Sequence, residues 1–148
     1  MSPDLIFTIA NNGILVFWLL LIVAPRWRGT ELAVHSIAVP LLLGCAYLWL
    51  LARVWVGGEG APGTSYFTLP GVMALFASPT GAAMGWIHYL VFDLFVGAWE
   101  ARDAARRGVP HWMVVPCLIV TLMAGPAGLA LYLVLRTLRR SGFALAEA

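Results

Sequence analysis

Apolar stretches of membrane-spanning length alternate along the chain with short polar, glycine-rich or proline-rich breaks, over residues 5–24, 32–56, 83–100 and 111–135. A crossing helix needs about 20 predominantly apolar residues, so the pattern predicts four spans. PRWRG (25–29) stops the first, GGEGAPG (57–63) follows the second as a flexible linker, and ARDAARRGVPH (101–111) separates the last two. Between spans two and three, YFTLPGVMALFASPTG carries an apolar piece at 70–78 that is too short to cross, so a short interfacial or re-entrant helix is expected there. Pro70 suits its first turn. The predicted fold is all-α and integral to a membrane: a bundle of four transmembrane helices with that short helix, forming one transmembrane domain over 1–148 with a tail at 136–148.

Composition strengthens this reading, since 61% hydrophobic against 11% charged residues in 148 excludes an ordinary soluble domain. Nine arginines, no lysine and seven acids leave a net charge of +2, and the charges sit mostly near span ends rather than in a nucleic-acid-binding stripe. No nucleic-acid partner is expected. Cys45 and Cys117 fall inside apolar spans and read as small hydrophobes rather than a disulfide framework. The first run lacks a basic leader and a small-residue cleavage pattern, so it reads as a retained span. Arginines divide five to four between the two membrane faces; Asp4 before span one, with Arg26 and Arg28 after it, favours an outside N-terminus.

His88 and Asp93 stand out because ionisable groups in hydrocarbon cost on the order of 2.5–3.5 kcal/mol and usually face a protein interior or a wet cavity. At about 100° per residue they lie about 140° apart on span three. His88 shares a face with Phe92, Phe95 and Trp99, whereas Asp93 shares one with Trp86, Gly97 and Glu100. Each is therefore expected to find its partner on another helix. Asn11 and Asn12 on span one and Thr121 on span four are candidate donors to Asp93. Glu100 and Asp103, one turn apart beside Arg102, Arg106 and Arg107, read as a solvated charge cluster. Trp27, Trp55 and Trp112 at span ends suit the interfacial belt. Pro126 breaks the ladder of span four at the carbonyl of Leu122, and Gly125 and Gly128 permit close approach of a helix or a ligand.

Several chemistries are excluded by inventory. Three histidines cannot form a four-histidine iron centre within one chain, and the lack of lysine forbids a retinal Schiff base. No GxGxxG, P-loop, HExxH or GxSxG motif is present. The i,i+5 spacing of His88 and Asp93 argues against both binding one ion from a regular helix, so no metal and no bound cofactor are expected.

The segment W-I-H-x-L-x-x-D-L-F, formed by Trp86, Ile87, His88, Leu90, Asp93, Leu94 and Phe95, resembles the signature of the abscisic-acid-deficient-4-like membrane proteins. VAPRW, VPLLLGCAYLWLL, FASPTGAAM and GPAGLALYL agree in order, so the resemblance covers nearly the whole chain without its tail. It implies a four-helix membrane protein acting on a carotenoid. Plant members are associated with converting violaxanthin to neoxanthin, which needs an acid at the epoxide oxygen and a base at a ring-side proton. The resemblance thus makes His88 and Asp93 the catalytic candidates, with Trp86, Phe92, Phe95, Trp99, Asn11, Asn12 and Thr121 around the substrate. The arginine- and alanine-rich chain has no transit-like leader and looks bacterial, which suggests a bacterial inner membrane. In that setting the leading expectation is oxygen-dependent, light-assisted oxidation or cleavage of a β-carotene-like polyene to retinal-like apocarotenoids, with dioxygen as co-substrate. The alternatives are an epoxy-carotenoid isomerase and a non-enzymatic carotenoid-binding protein. Expected partners are a carotenoid or other polyene lipid, membrane lipids, and a second copy in a homodimer whose interface bounds the groove.

Overall fold

A computed structural model of the protein describes residues 1–139; among these only helices and their connections occur, with no strand. The helices are α1 (Pro3–Val23), α2 (Arg28–Ala33), α3 (Ala38–Trp55), α4 (Leu69–Ala77), α5 (Pro79–Arg106) and α6 (His111–Leu138). By length and composition four stretches suffice to cross a membrane: α1, the α2–α3 run Arg28–Trp55, α5 and α6, the last of which is broken at Ala124. α5 extends beyond 83–100 at both ends, and α6 runs past 135, so the tail is shorter than 136–148 and the rest of it lies outside the described residues. The chain forms two compact units, one built from Met1–Leu15 with Ile37–Val91 and the other from Val16–Ser36 with Phe92 onward.

In the first unit the short helix and its successor share one connection. Thr68 caps α4 by accepting from the Gly71 N–H at 3.2 Å, and Pro70 lies in the first turn, where its missing N–H costs no helix bond. Ser78 ends α4 in extended conformation and its Oγ accepts from the Gly81 N–H at 3.0 Å, so one serine closes α4 and opens α5. The GGEGAPG linker is anchored at Glu59. Glu59 accepts from Arg53 Nε at 2.8 Å and from the Thr80 hydroxyl at 2.6 Å, while Arg53 also donates to the Met1 carbonyl at 2.8 Å. These hydrogen bonds hold the Glu59 carboxyl below its usual pKa, the Arg53 bond first and the Thr80 bond second.

In the second unit α1 ends before Pro25, and the buried Thr30 of α2 donates to the Ala24 carbonyl at 2.6 Å, fixing the reversal. Gly108 ends α5 at φ +67°, while the Val109 N–H reaches the Ala104 carbonyl at 2.9 Å, the long bond of a Schellman stop. Buried positions on the shared α5 recur every three or four residues, through Ala83, Ile87, Leu90, Leu94, Ala98, Ala101 and Ala104. α6 is not the straight crossing expected from 111–135: Ala124 adopts φ −157° and ψ 69°, two residues before Pro126. The proline ring and its missing N–H leave the Leu122 carbonyl without its helical partner, and Ala124 lies inside the turn so released. The turn is sharp. A side-chain carbon at Gly128 would overlap the hydroxyl and backbone of Thr121. A continuous helix would separate those positions by about 10 Å of rise.

A buried acid line as the candidate functional site

Asp93, Glu100 and Asp103 on α5 are all buried, with exposures of 8%, 0% and 1%. The reading of Glu100 and Asp103 as a solvated cluster is therefore overturned. Seven residues separate Asp93 from Glu100, placing them on one face about 10 Å apart along the axis. The first arm of α6 and its turn supply what faces them. Gly125 lies against the Asp93 carboxylate, and a methyl there would overlap it. Thr121 Oγ1 is 3.0 and 3.1 Å from the two oxygens of Glu100 and 2.9 Å from the carbonyl of Cys117.

Asp103 has the densest set of donors. Arg107 Nε donates to its Oδ1 at 2.9 Å, the Tyr132 hydroxyl donates to Oδ2 at 2.6 Å, and Arg136 Nη1 lies 3.3 Å from Oδ2. Tyr132 and Arg136 are one turn apart, so one face of the returning helix delivers both groups. A straight α6 would have carried them away from the end of α5. Arg136 is 1% exposed, and the countercharge that offsets burying its guanidinium is the Asp103 carboxylate. The arrangement holds α6 onto α5 and keeps Asp103 fully occupied, whereas Asp93 retains a small exposed surface.

The structure distributes the sequence-predicted residues between the units. In the first, His88 is exposed with its ring 5.8 Å from that of Tyr47. Trp86 Nε1 donates to Asn11 Oδ1 at 3.0 Å and its ring stands 5.7 Å from Phe7, while Asn12 is exposed. In the second, Thr121 bonds Glu100, and Trp99 packs edge-on against Tyr132 at 5.6 Å. Phe92 and Phe95 are each 55% exposed, so this part of the aromatic face points outward. Trp18, buried, packs where a side chain at Gly97 would otherwise sit. Cys45 is exposed and Cys117 buried, both as free thiols. Among the described residues no three histidine, cysteine or acidic side chains group as ligands for a metal. Tyr132 and Arg136 went unassigned in the sequence and Glu100 was placed in a solvated cluster, although the seven-residue spacing from Asp93 and the four-residue pair Tyr132 and Arg136 in an apolar run were both visible.

No solved structure matches the chain. Among characterised proteins, it is 29% identical over 113 residues to Protein ABA DEFICIENT 4, chloroplastic, of Arabidopsis thaliana, an alignment covering 70% of this chain and 49% of that protein. The chain thus spans about half the length of the relative it matches. The ABA DEFICIENT 4-like family model matches residues 5–132, which include α5, most of α6 and the whole acid line. The protein belongs to the ABA DEFICIENT 4-like family.

Proposed function

We propose that the protein modifies a carotenoid by proton transfer, as an isomerase of oxygenated ring ends, with the acid line of the second unit as its proton-handling element. The observation that carries this reading is the burial of Asp93 and Glu100 on one face of α5. Opening an epoxide to an allenic alcohol places a proton on the ring oxygen and removes one from a neighbouring carbon, so the product has the mass of the substrate. A carboxyl held away from water suits the donor's role. Asp93 keeps a little exposure and would meet the substrate; Glu100, fully covered, stands behind it.

Hydrogen counting supports a proton on Glu100. The Thr121 hydroxyl has one hydrogen, yet three acceptor atoms lie within 3.1 Å of its oxygen. With a proton on Glu100, one of its oxygens donates to Thr121 and Thr121 donates to the Cys117 carbonyl, so two of the three contacts are hydrogen bonds instead of one. Phe92 and Phe95 flank Asp93 in sequence and offer an outward apolar surface to a polyene. His88, exposed in the other unit, is kept as a separate catalytic candidate. Oxidative cleavage receives no support from the buried acids, which neither activate dioxygen nor require it.

The test is incubation of purified protein in detergent with a 5,6-epoxy-carotenoid and, separately, with β-carotene, in light and dark, with and without oxygen. The expected result is an isomer of unchanged mass from the epoxide in the dark without oxygen, lost in Asp93→Asn protein that remains folded. An unchanged epoxide, or a product of altered mass that needs oxygen, overturns the proposal. Loss of folded protein in Asp93→Asn without a turnover defect favours the carotenoid-binding alternative.

A further inference from the structure

The second unit contains a cavity of about 260 Å³ separate from the acid line, lined by Arg26, Glu31, His35, Arg102 and His111, with Pro25, Val109 and three α5 alanines as its apolar wall. It lies where α1 ends, α5 ends and α6 begins, roofed by α2. Trp27 and Trp112, 59% and 72% exposed, flank the same connections as interfacial residues do.

The polar lining is held in place. Arg102 Nη1 lies 3.0 Å from His35 Nδ1; a guanidinium only donates, so Nδ1 is the acceptor and the guanidinium is oriented by it. His111 Nε2 is 2.8 Å from the Ile22 carbonyl and therefore donates, which fixes that ring against the end of α1. The Thr30 bond to Ala24 holds α2 over the cavity. Two guanidiniums against one carboxylate leave the lining positive. Its volume is below the about 300–1,000 Å³ of clefts that enclose whole drug-sized ligands, so it suits a headgroup rather than a polyene. Basic pockets between membrane helices take anionic lipid headgroups.

We propose that this cavity binds the phosphodiester headgroup of an anionic membrane phospholipid, with Arg26 and Arg102 contacting the phosphate and the alanine wall contacting the glycerol end. The same phosphate chemistry exists in free inorganic phosphate, and the experiment separates the two sources.

Full-length protein, delipidated in a neutral detergent, is titrated with short-chain phosphatidylglycerol, short-chain phosphatidylcholine or inorganic phosphate, with binding read by native mass spectrometry and thermal shift. Phosphatidylglycerol is expected to bind more tightly than either of the others. Arg26→Gln should weaken it about fivefold, in line with the attraction of one basic residue for an anionic headgroup. Arg102→Gln should weaken it at least as much, and Arg139→Gln, on an exposed residue outside the cavity, should leave it unchanged. Because Arg26 is exposed, its variant keeps the test sound if Arg102→Gln reduces the yield of folded protein. Equal binding of phosphatidylcholine overturns the anionic assignment, and inorganic phosphate binding as tightly as the lipid overturns the lipid assignment. An equal loss in Arg139→Gln shows a diffuse surface effect and overturns the site.

Discussion

The hydroxyl of Tyr132 donates to Oδ2 of Asp103 across 2.6 Å, and both side chains are buried. This bond joins the end of α5 to the returning part of α6, residues 29 apart in sequence. Tyr132→Phe leaves the ring on Trp99 but removes a hydrogen bond to a charged group, a loss of about 1.5–3 kcal/mol. The expected outcome is a lower unfolding midpoint in detergent. The effect should largely vanish in an Asp103→Asn background, as measured by a double-mutant cycle.

Gly125→Ala puts a methyl onto the Asp93 carboxylate. Overpacking at such a contact costs about 1–3 kcal/mol. Shortening the acid in the double variant Gly125→Ala with Asp93→Ala should restore part of the loss, and denaturant titration of the two single variants and the pair measures it. Strict additivity would show that the two residues do not share this space.

Thr121→Val removes the hydroxyl from buried Glu100 while keeping the shape. An unsatisfied buried polar group costs about 1–3 kcal/mol, so stability should fall by that order, whereas Thr121→Ser should retain most of it. Glu100→Gln provides the informative contrast. Its amide donates to Thr121 as a protonated carboxyl does, so the fold should persist while any activity that needs the Glu100 proton falls; circular dichroism and product analysis on one preparation separate the effects.

Glu59 supplies a pH dependence. Its carboxyl is held below the usual range by Arg53 and Thr80, so the folded form binds its proton less readily than the unfolded chain. The Glu59 contribution is therefore fully present above the ordinary glutamate pKa of about 4.3 and is lost as the pH falls through the lower folded value. The midpoint difference between the native chain and Glu59→Gln should be constant near neutrality and shrink toward zero in acid. A difference that grows on acidification would contradict the assignment.

The helices were largely legible because a membrane-length apolar run bounded by PRWRG, GGEGAPG or ARDAARRGVPH has few alternatives. The motif from Trp86 to Phe95 likewise pointed to the family that the match over 5–132 establishes. Glu100 and Asp103 were misread because their neighbours in sequence are arginines near a helix end, which is how a solvated cluster also looks. The anchor of the linker was hidden for a related reason: Glu59 gains its partners from Arg53 and Thr80, and Thr80 lies 21 residues away.

Residue order alone determined where the chain turns apolar, where Pro25, Gly108 and Pro126 interrupt it, and which polar groups enter hydrocarbon, since these follow from transfer energies and backbone sterics acting locally. Only the tertiary structure decided which charges meet. The break at Ala124 returns Tyr132 and Arg136 to Asp103, while the arm before it sets Thr121 on Glu100. A proline predicts that a helix is interrupted, but the direction in which it continues depends on side chains far away in sequence that must bury, pair and satisfy one another at once.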